Sequence, residues 1–461
     1  MARLQLAIRR GEIVTGSQTV LADLGISGGK IVQIGGDFEA EREYDALGKL
    51  ILPGVIDAHV HLTLAPGREH IEPHWVDDFT SGSAAAAAGG VTTVGNMCAL
   101  APGEPPIEGL ARYTELAART AFVDVILHPI LSEITPQVLE QIPLLLDHGH
   151  NSIKYFMSTP RFDTQVMGYL EATQRAGDSG LISLIHCEDY AILESATQRL
   201  VAGGATGFAQ YPESRPVIAE AVATARAVAF AEATGAPVYI VHLSSERALE
   251  ACVAAQARGL PVYVETRPFY LHLTRERFDE PEAAKYVGQP PLREQRDLDA
   301  IWAGIQQGVV NTVCTDHAPW SLAAKLAPEH TLDHLRPGAE NLQVMLPLLY
   351  SEGVRGGRIS LARMVEVLST NAAKLFGIYP SKGTIAPGSD ADLVVFDPHL
   401  TRTIDGAMLQ SNADYSVYEG WEVTGWPVLT LRRGEVLYQD GEVHGRPGSG
   451  EVLRRVATMP L

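Results

Sequence analysis

The stretch Leu50-Ile-Leu-Pro-Gly-Val-Ile-Asp-Ala-His-Val-His61 runs an apolar segment into two histidines one residue apart. Read as a strand, its period of two sends His59 and His61 to the same face, where two imidazoles can grip one metal ion. The His-x-His spacing alone fits a pair of structural histidines equally well. The fold has to be read from what surrounds it.

Downstream, short β-rich runs alternate with longer alanine-rich helical runs, the pattern of βα units on a parallel sheet. One candidate strand ends at His61, and others lie at 91–96, 123–128, 152–156, 181–186, 238–242, 262–265 and 312–316. Eight such strands predict a closed (β/α)8 TIM barrel, an α/β fold. The runs at 81–88 and 219–229 read as helices, with alanine favoured by propensity and by close packing on the barrel. The flanks at 23–35 and 383–397 instead alternate short strands with glycine turns, and are read as one small β-sandwich made by both chain ends. The expected division is 1–51 (first part of the sandwich), 52–377 (barrel), 378–445 (second part of the sandwich) and 446–461 (C-terminal tail). Pro447-Gly-Ser-Gly450 marks that tail as loose, either disordered or reaching to a neighbouring subunit.

With 461 residues, 46% of them hydrophobic, the chain can bury a large core. A formal net charge of −19 argues against nucleic acid and anionic membranes as partners. No apolar stretch is long enough to span a bilayer. The segment Met1 to Arg10 flanks a very short apolar core with charge and does not resemble a secretory signal, so a cytoplasmic location is expected. Cys98, Cys187, Cys252 and Cys314 form no Cys-x-x-Cys pair, which disfavours a disulfide framework or a thiolate zinc site. They read as reduced, small, buried hydrophobes.

Active sites of such barrels sit at the C-terminal ends of the strands. Here those ends carry His59 and His61, Lys154, His186, His242 and Asp316. Each alone has a structural reading, as a satisfied core histidine or a helix-capping Asp. Five strand ends delivering such groups to one level do not follow from packing alone. A lysine there needs its own account, because an ammonium repels a metal and desolvates badly. Neutral lysine can add carbon dioxide to give a carbamate, with two oxygens and one negative charge, able to bridge two cations. Carbamate, Asp316 and a hydroxide then set three negative charges against the four positive charges of two divalent ions.

The motifs Asp57-Ala-His-Val-His61, Ser152-Ile-Lys-Tyr-Phe-Met157, His186-Cys-Glu-Asp189, Val241-His-Leu-Ser-Ser245, Gln289-Pro-Pro-Leu-Arg293 and Thr315-Asp-His-Ala-Pro319 resemble, in order, those of the amidohydrolase superfamily, cyclic amidohydrolase branch. The stretches Ser369 to Pro398 and Tyr418-Glu-Gly-Trp-Glu-Val-Thr-Gly-Trp-Pro427 resemble hydantoinases and dihydropyrimidinases. The resemblance implies a binuclear-metal hydrolase in the barrel. The more buried metal would take His59, His61, Lys154 as N6-carboxylysine and Asp316; the second would take the other carbamate oxygen, His186 and His242. Zinc is the expected ion, with manganese or cobalt fitting the same ligands, and carbon dioxide is needed only for the carbamate. A bridging hydroxide would open a cyclic amide ring of hydantoin or dihydropyrimidine type, Asp316 acting first as base and then as acid. His317 is expected to orient Asp316 or a water rather than to ligate. The partner is then a small cyclic amide or ureide, and the family implies a homo-oligomer, dimer or tetramer.

Three substrate-facing positions depart from the hydantoinase pattern. Thr159 stands where those enzymes place an oxyanion-binding tyrosine, Gln289 where they place a serine before Pro-Pro-Leu-Arg, and Pro337 where they place an asparagine. Losing an oxyanion donor typically costs about 3–4 kcal/mol, so the site recruits another donor or handles a different ring. Thr159 resembles the allantoinase pattern, which keeps allantoinase and cyclic imide hydrolase as alternatives. Dihydroorotase fits less well, since its substrate-clamping arginine is Thr63 here. A reading from another class, a non-catalytic hydantoinase-like scaffold, is opposed by the intact ligand set. His70, His74 and Trp75, in the loop after the first barrel strand, read as solvated loop residues, with a place at the pocket mouth as the alternative, and Trp421 and Trp426 as packing or a subunit contact.

Overall fold

The structure is a computed structural model that describes residues 3–67 and 71–461. Its strands in chain order are β1 (Leu4–Val14), β2 (Thr19–Ser27), β3 (Lys30–Ile34), β4 (Ala40–Asp45), β5 (Leu50–Pro53), β6 (Val55–Val60), β7 (Val91–Ala99), β8 (Asp124–Ile130), β9 (Ser152–Phe156), β10 (Ile182–His186), β11 (Val238–Ile240), β12 (Val262–Thr266), β13 (Thr312–Val313), β14 (Leu393–Thr403), β15 (Glu422–Arg432), β16 (Glu435–Gln439) and β17 (Glu442–Val443).

Strands β6 to β13 stand side by side in sequence order as one eight-stranded sheet, and every paired neighbour is parallel. The sheet closes on itself where Val60 bridges His317 and the His61 N–H donates to the His317 carbonyl at 2.8 Å. This is the expected (β/α)8 barrel. Its strands are buried on both faces, as parallel strands between a barrel interior and a helical layer must be, which is why β10 is buried at every position.

The helices begin and end where their sequences say they should. Asp78 accepts from the backbone of Thr80 and Ser81 and completes a capping box with the Ser81 hydroxyl, starting helix Phe79–Ala88. Ala85 to Ala88 are buried there, so the alanine run is a packing surface. Helix Val217–Thr234 stops at Gly235, whose φ of 69° a side chain would resist.

The two chain ends build the small β domain together. Its strands are linked in one mixed order, β17-β16-β15-β14-β5-β1-β2-β3, with β4 paired to β1. The ends meet where β14 runs antiparallel to β5, over a core that includes Ile8, Ile26, Ile51, Leu393 and Leu431. Lys382 ties this domain to the barrel, its Nζ lying 2.6 Å from both Asp124 and Asp392. All four cysteines are free and buried. Trp426 is buried, and Trp421 packs beside Tyr418 with ring centroids 5.5 Å apart.

The C-terminal segment corrects the expectation of a loose tail. It lies along the N-terminal ends of this chain's own barrel strands: the Val125 N–H donates to the Glu451 carbonyl at 2.8 Å, the Leu453 N–H to Val125 at 2.9 Å and the Thr458 N–H to Gly180 at 2.9 Å. Arg455 is buried in the barrel floor, donating to Ser152 Oγ at 3.0 Å and to the Leu127 carbonyl at 2.6 Å. Glycines had suggested freedom, but Gly448 and Gly450 allow the backbone to approach Arg119 and Val123 closely. Arg455→Met removes the buried donor to the Leu127 carbonyl and one of the two partners of Ser152 Oγ, the other being His128 at 2.7 Å, so it is expected to lower stability by about 1–3 kcal/mol. Urea denaturation should show this as a lower midpoint at unchanged slope.

Candidate active site

Two of the candidate ligands have, two residues along the chain, a carboxylate that steadies the site: Asp57 beside His59 on β6, and Glu188 beside His186. Asp57 accepts from the backbone N–H of His59 at 3.2 Å and of Thr315 at 3.1 Å, and from the Thr315 hydroxyl at 2.5 Å. Burial pushes its carboxyl up to about 6 against those bonds. It welds the first barrel strand to the turn that presents Asp316, a residue held in the left-handed region at φ 50°.

On one side of the site, His59, His61 and Asp316 bring ligand atoms within 4.8 Å of one another. Asp316 Oδ1 lies 3.1 Å from His61 Nε2 and 3.3 Å from His59 Nε2. The far nitrogen of His59, Nδ1, meets Glu265 Oε1 at 2.7 Å, and the same oxygen accepts from the His242 N–H at 3.0 Å. His242 is the second left-handed residue of the site, at φ 38°. One buried carboxylate therefore sets a ring on β6 and a strained backbone after β11.

On the other side, His186 Nδ1 lies 3.0 Å from His242 Nε2. Nε2 of His186 is 2.8 Å from Glu188, which Arg215 also grips. Although burial opposes it, Arg215 with His186 holds the Glu188 carboxyl down to about 2. A permanent carboxylate at Nε2 favours the tautomer with the proton there and leaves Nδ1 bare. The two sides adjoin, with the His59 and His242 ring centroids 5.5 Å apart.

Lys154 is fully buried on β9 and its Nζ has no hydrogen-bond partner. Burial pushes its ammonium down to about 8, partly offset by Glu265 and Asp316. Carbamate formation proceeds through the neutral amine, and burial raises that fraction above that of an exposed lysine. His242 Nδ1 and Glu265 Oε2 are likewise buried without partners. Orphaned donors and acceptors around bare imidazoles are what a site built for cations would leave.

A cavity of about 160 Å³ opens onto these groups, lined by His59, His61, Trp75, Phe156, His186, His242, Gln289, Asp316, Ala318, Pro337 and Gly338. Gln289 also lines a wider basin of about 710 Å³ with Ser158, Tyr190, Gln198 and Arg215.

The structure thus brings His59, His61, His186, His242, Asp316, Gln289 and Pro337 to one cavity, with Lys154 buried close by, but not Thr159. Thr159 is the N-cap of the short helix Pro160–Thr164, its hydroxyl accepting from the Phe162 N–H at 3.4 Å. The Thr-Pro pair carried that signal in the sequence. Trp75 is also corrected: its ring packs 4.9 Å from that of His61 and walls the cavity instead of facing solvent. His74 stays in the loop, 3.1 Å from Glu72, and His70 lies outside the described residues. His317 does not orient Asp316. Its Nε2 meets Asp77 at 2.8 Å and its Nδ1 accepts from the Asn341 N–H at 3.4 Å, which anchors the loop that carries Trp75. Glu188, Arg215, Glu265 and Arg267 were not singled out from sequence.

Comparison with known proteins agrees over the whole length. The Amidohydrolase family profile matches residues 50–437. A D-hydantoinase of Ralstonia pickettii is 37% identical over 457 residues, spanning 98% of this chain and 99% of the relative. Among solved structures, a D-hydantoinase (dihydropyrimidinase) from Thermus sp. superposes with a TM-score of 0.93 at 36% identity, covering 98% of this chain and 99% of that one. A dihydropyrimidinase from Brevibacillus agri NCHU1002 gives 0.91 at 34% identity, again over 98% and 99%.

Glu188→Gln and Glu265→Gln each remove a negative charge that orients an imidazole. Each is expected to weaken divalent-metal binding by about 10–100-fold, read by chelator competition on the folded protein. Unchanged affinity would show that the two carboxylates serve packing only.

Proposed function

The chain belongs to the amidohydrolase family, and on that premise we propose that it hydrolyses a ring amide bond of a hydantoin or dihydropyrimidine, giving a carbamoyl amino acid. The observation that carries this reading is the gathering of four buried or half-buried imidazoles and Asp316 around one cavity, with an unpartnered Lys154 buried close by. The donor set fits two divalent cations. His59, His61 and Asp316 would hold one, His186 and His242 the other, with a Lys154 carbamate shared between them. Zinc suits these ligands, and manganese or cobalt would be accepted. Bound there, the cations would supply Lewis acidity, bringing the pKa of a water near neutrality and drawing charge from an amide carbonyl.

The chain's own residues do the rest. Asp316 takes a proton as the water oxygen bonds to the carbonyl carbon, and returns it to the ring nitrogen as the C–N bond breaks. Trp75 and Phe156 shield the reacting groups with aromatic surface. The Gln289 amide can donate and accept, matching the N–H and C=O edge of a ureide. A cavity of about 160 Å³ suits a small ring, while the basin beyond Gln289 has room for a substituent. Thr63 is buried against Asn96, which donates to it at 2.9 Å, so position 63 supplies no cation to clamp a ring carboxylate. The relatives' names, D-hydantoinase and dihydropyrimidinase, point to the same ring class. A scaffold without activity would have no use for orphaned buried donors that cost about 1–3 kcal/mol each.

Metal-loaded protein is expected to open 5-substituted hydantoins or dihydrouracil faster than allantoin, succinimide or dihydroorotate, measured side by side. Faster turnover of dihydroorotate would sink the assignment, and faster turnover of allantoin or succinimide would move it to that ring. Intact-mass analysis under native conditions should show one added carbon dioxide, absent from Lys154→Ala, and that variant should lose at least ~100-fold in kcat. Full activity in Lys154→Ala would rule out the shared carbamate.

A further inference from the structure

Asp316 is gripped from behind by a cation that does not line the cavity. Arg267, just past the end of β12, is 1% exposed, and its Nη1 donates to Asp316 Oδ2. The guanidinium is boxed: its carbon lies 4.6 Å from the Phe269 ring centroid and 4.7 Å from that of Tyr270. Nη2 sits against Gly288, where a Cβ would come within 2.1 Å of it. Nε and Nη2 have no hydrogen-bond partner among the described residues.

A buried guanidinium with two unpartnered nitrogens, three N–H groups in all, is tolerated only where one contact compensates, and that contact is the carboxylate of Asp316. Aromatic faces hold the cation by its π-attraction without offering acceptors that would draw it away. Because rings and the Gly288 backbone wall it in, the side chain is not placed to follow a substrate into the cavity. Its effect falls on Asp316. The two carboxylate oxygens are thereby sorted: Oδ1 faces His61 and His59 at 3.1 and 3.3 Å, and Oδ2 faces Arg267. Free rotation about the last bond of an aspartate would otherwise exchange these oxygens.

We infer that Arg267 is a positioning residue for the proton transfer, fixing which oxygen of Asp316 carries the proton between water and ring nitrogen. The inference rests on Asp316 being the proton carrier. It also accounts for Gly288, since any larger residue would displace the guanidinium.

The test uses metal-reconstituted full-length protein and the best substrate of the ring panel. Arg267→Met is expected to lower kcat about 100-fold with KM within threefold of the parent and with metal content per protomer unchanged. Arg267→Lys, which keeps the charge but not the planar fork, should recover about a tenth of the parent kcat, again at unchanged KM. The inference is overturned if kcat stays within threefold, or if KM rises more than tenfold while kcat holds, which would make Arg267 a substrate anchor. Should Arg267→Met not fold, Arg267→Lys and Gly288→Ala carry the same kcat-against-KM reading. Asp316→Asn separates the two claims. Full activity there removes the proton-carrier reading itself, whereas an inactive Asp316→Asn beside fully active Arg267 variants removes only the positioning role.

Discussion

The backbone hydrogen bond from His61 to His317 closes the barrel, and the site exists because it does. It sets the end of the first barrel strand against the end of the last, so that His59 and His61 meet Asp316, their partner from the far end of the domain. Asp57 reinforces the closure from inside by holding Thr315 through both its backbone and its hydroxyl. Everything else about the centre is arranged relative to this seam. The left-handed turn at Asp316 is tolerated because the residues on either side of it are pinned.

Such a centre is expensive to fold. Lys154, His242, Glu265 and Arg267 each leave at least one buried polar atom unpartnered, and an unmade buried bond costs about 1–3 kcal/mol. The cost is spread over a barrel whose apolar strands are buried on both faces, and over ties such as Lys382 between Asp124 and Asp392 that lock the small domain to it. The C-terminal segment adds to this by sealing the opposite end of the barrel with Arg455. Stability is thus supplied at the floor and along the flanks, leaving the strand ends free to hold strained and unsatisfied groups.

How much of this could be read from the sequence follows from which relations are local. Strand positions and the faces of His59, Lys154 and His186 are local, because a period of two is written in the run itself. The meeting of those faces needed only the rule that barrel strands stand in sequence order. Thr159 also carries a local signal, since a Thr-Pro pair starts a helix, and here it caps Pro160–Thr164. Trp75 and His317 carry none. Their roles depend on where a loop folds back, through Asp77 onto Ser411 and Asn412, and no periodicity encodes that. The tail misled because its glycines permit close approach as readily as they permit disorder.

Strand β12 shows how far the same period of two reaches beyond the ligands. It contributes none of the six proposed ligands, yet Glu265 and Arg267 lie two residues apart at its end. Glu265 braces His59 and the backbone of His242, while Arg267 braces Asp316. The pair thus steadies both the imidazole side and the carboxylate side while supplying a ligand to neither. One strand end therefore braces groups carried by three others, His59 on β6, His242 after β11 and Asp316 after β13, and holds them where they converge on one cavity.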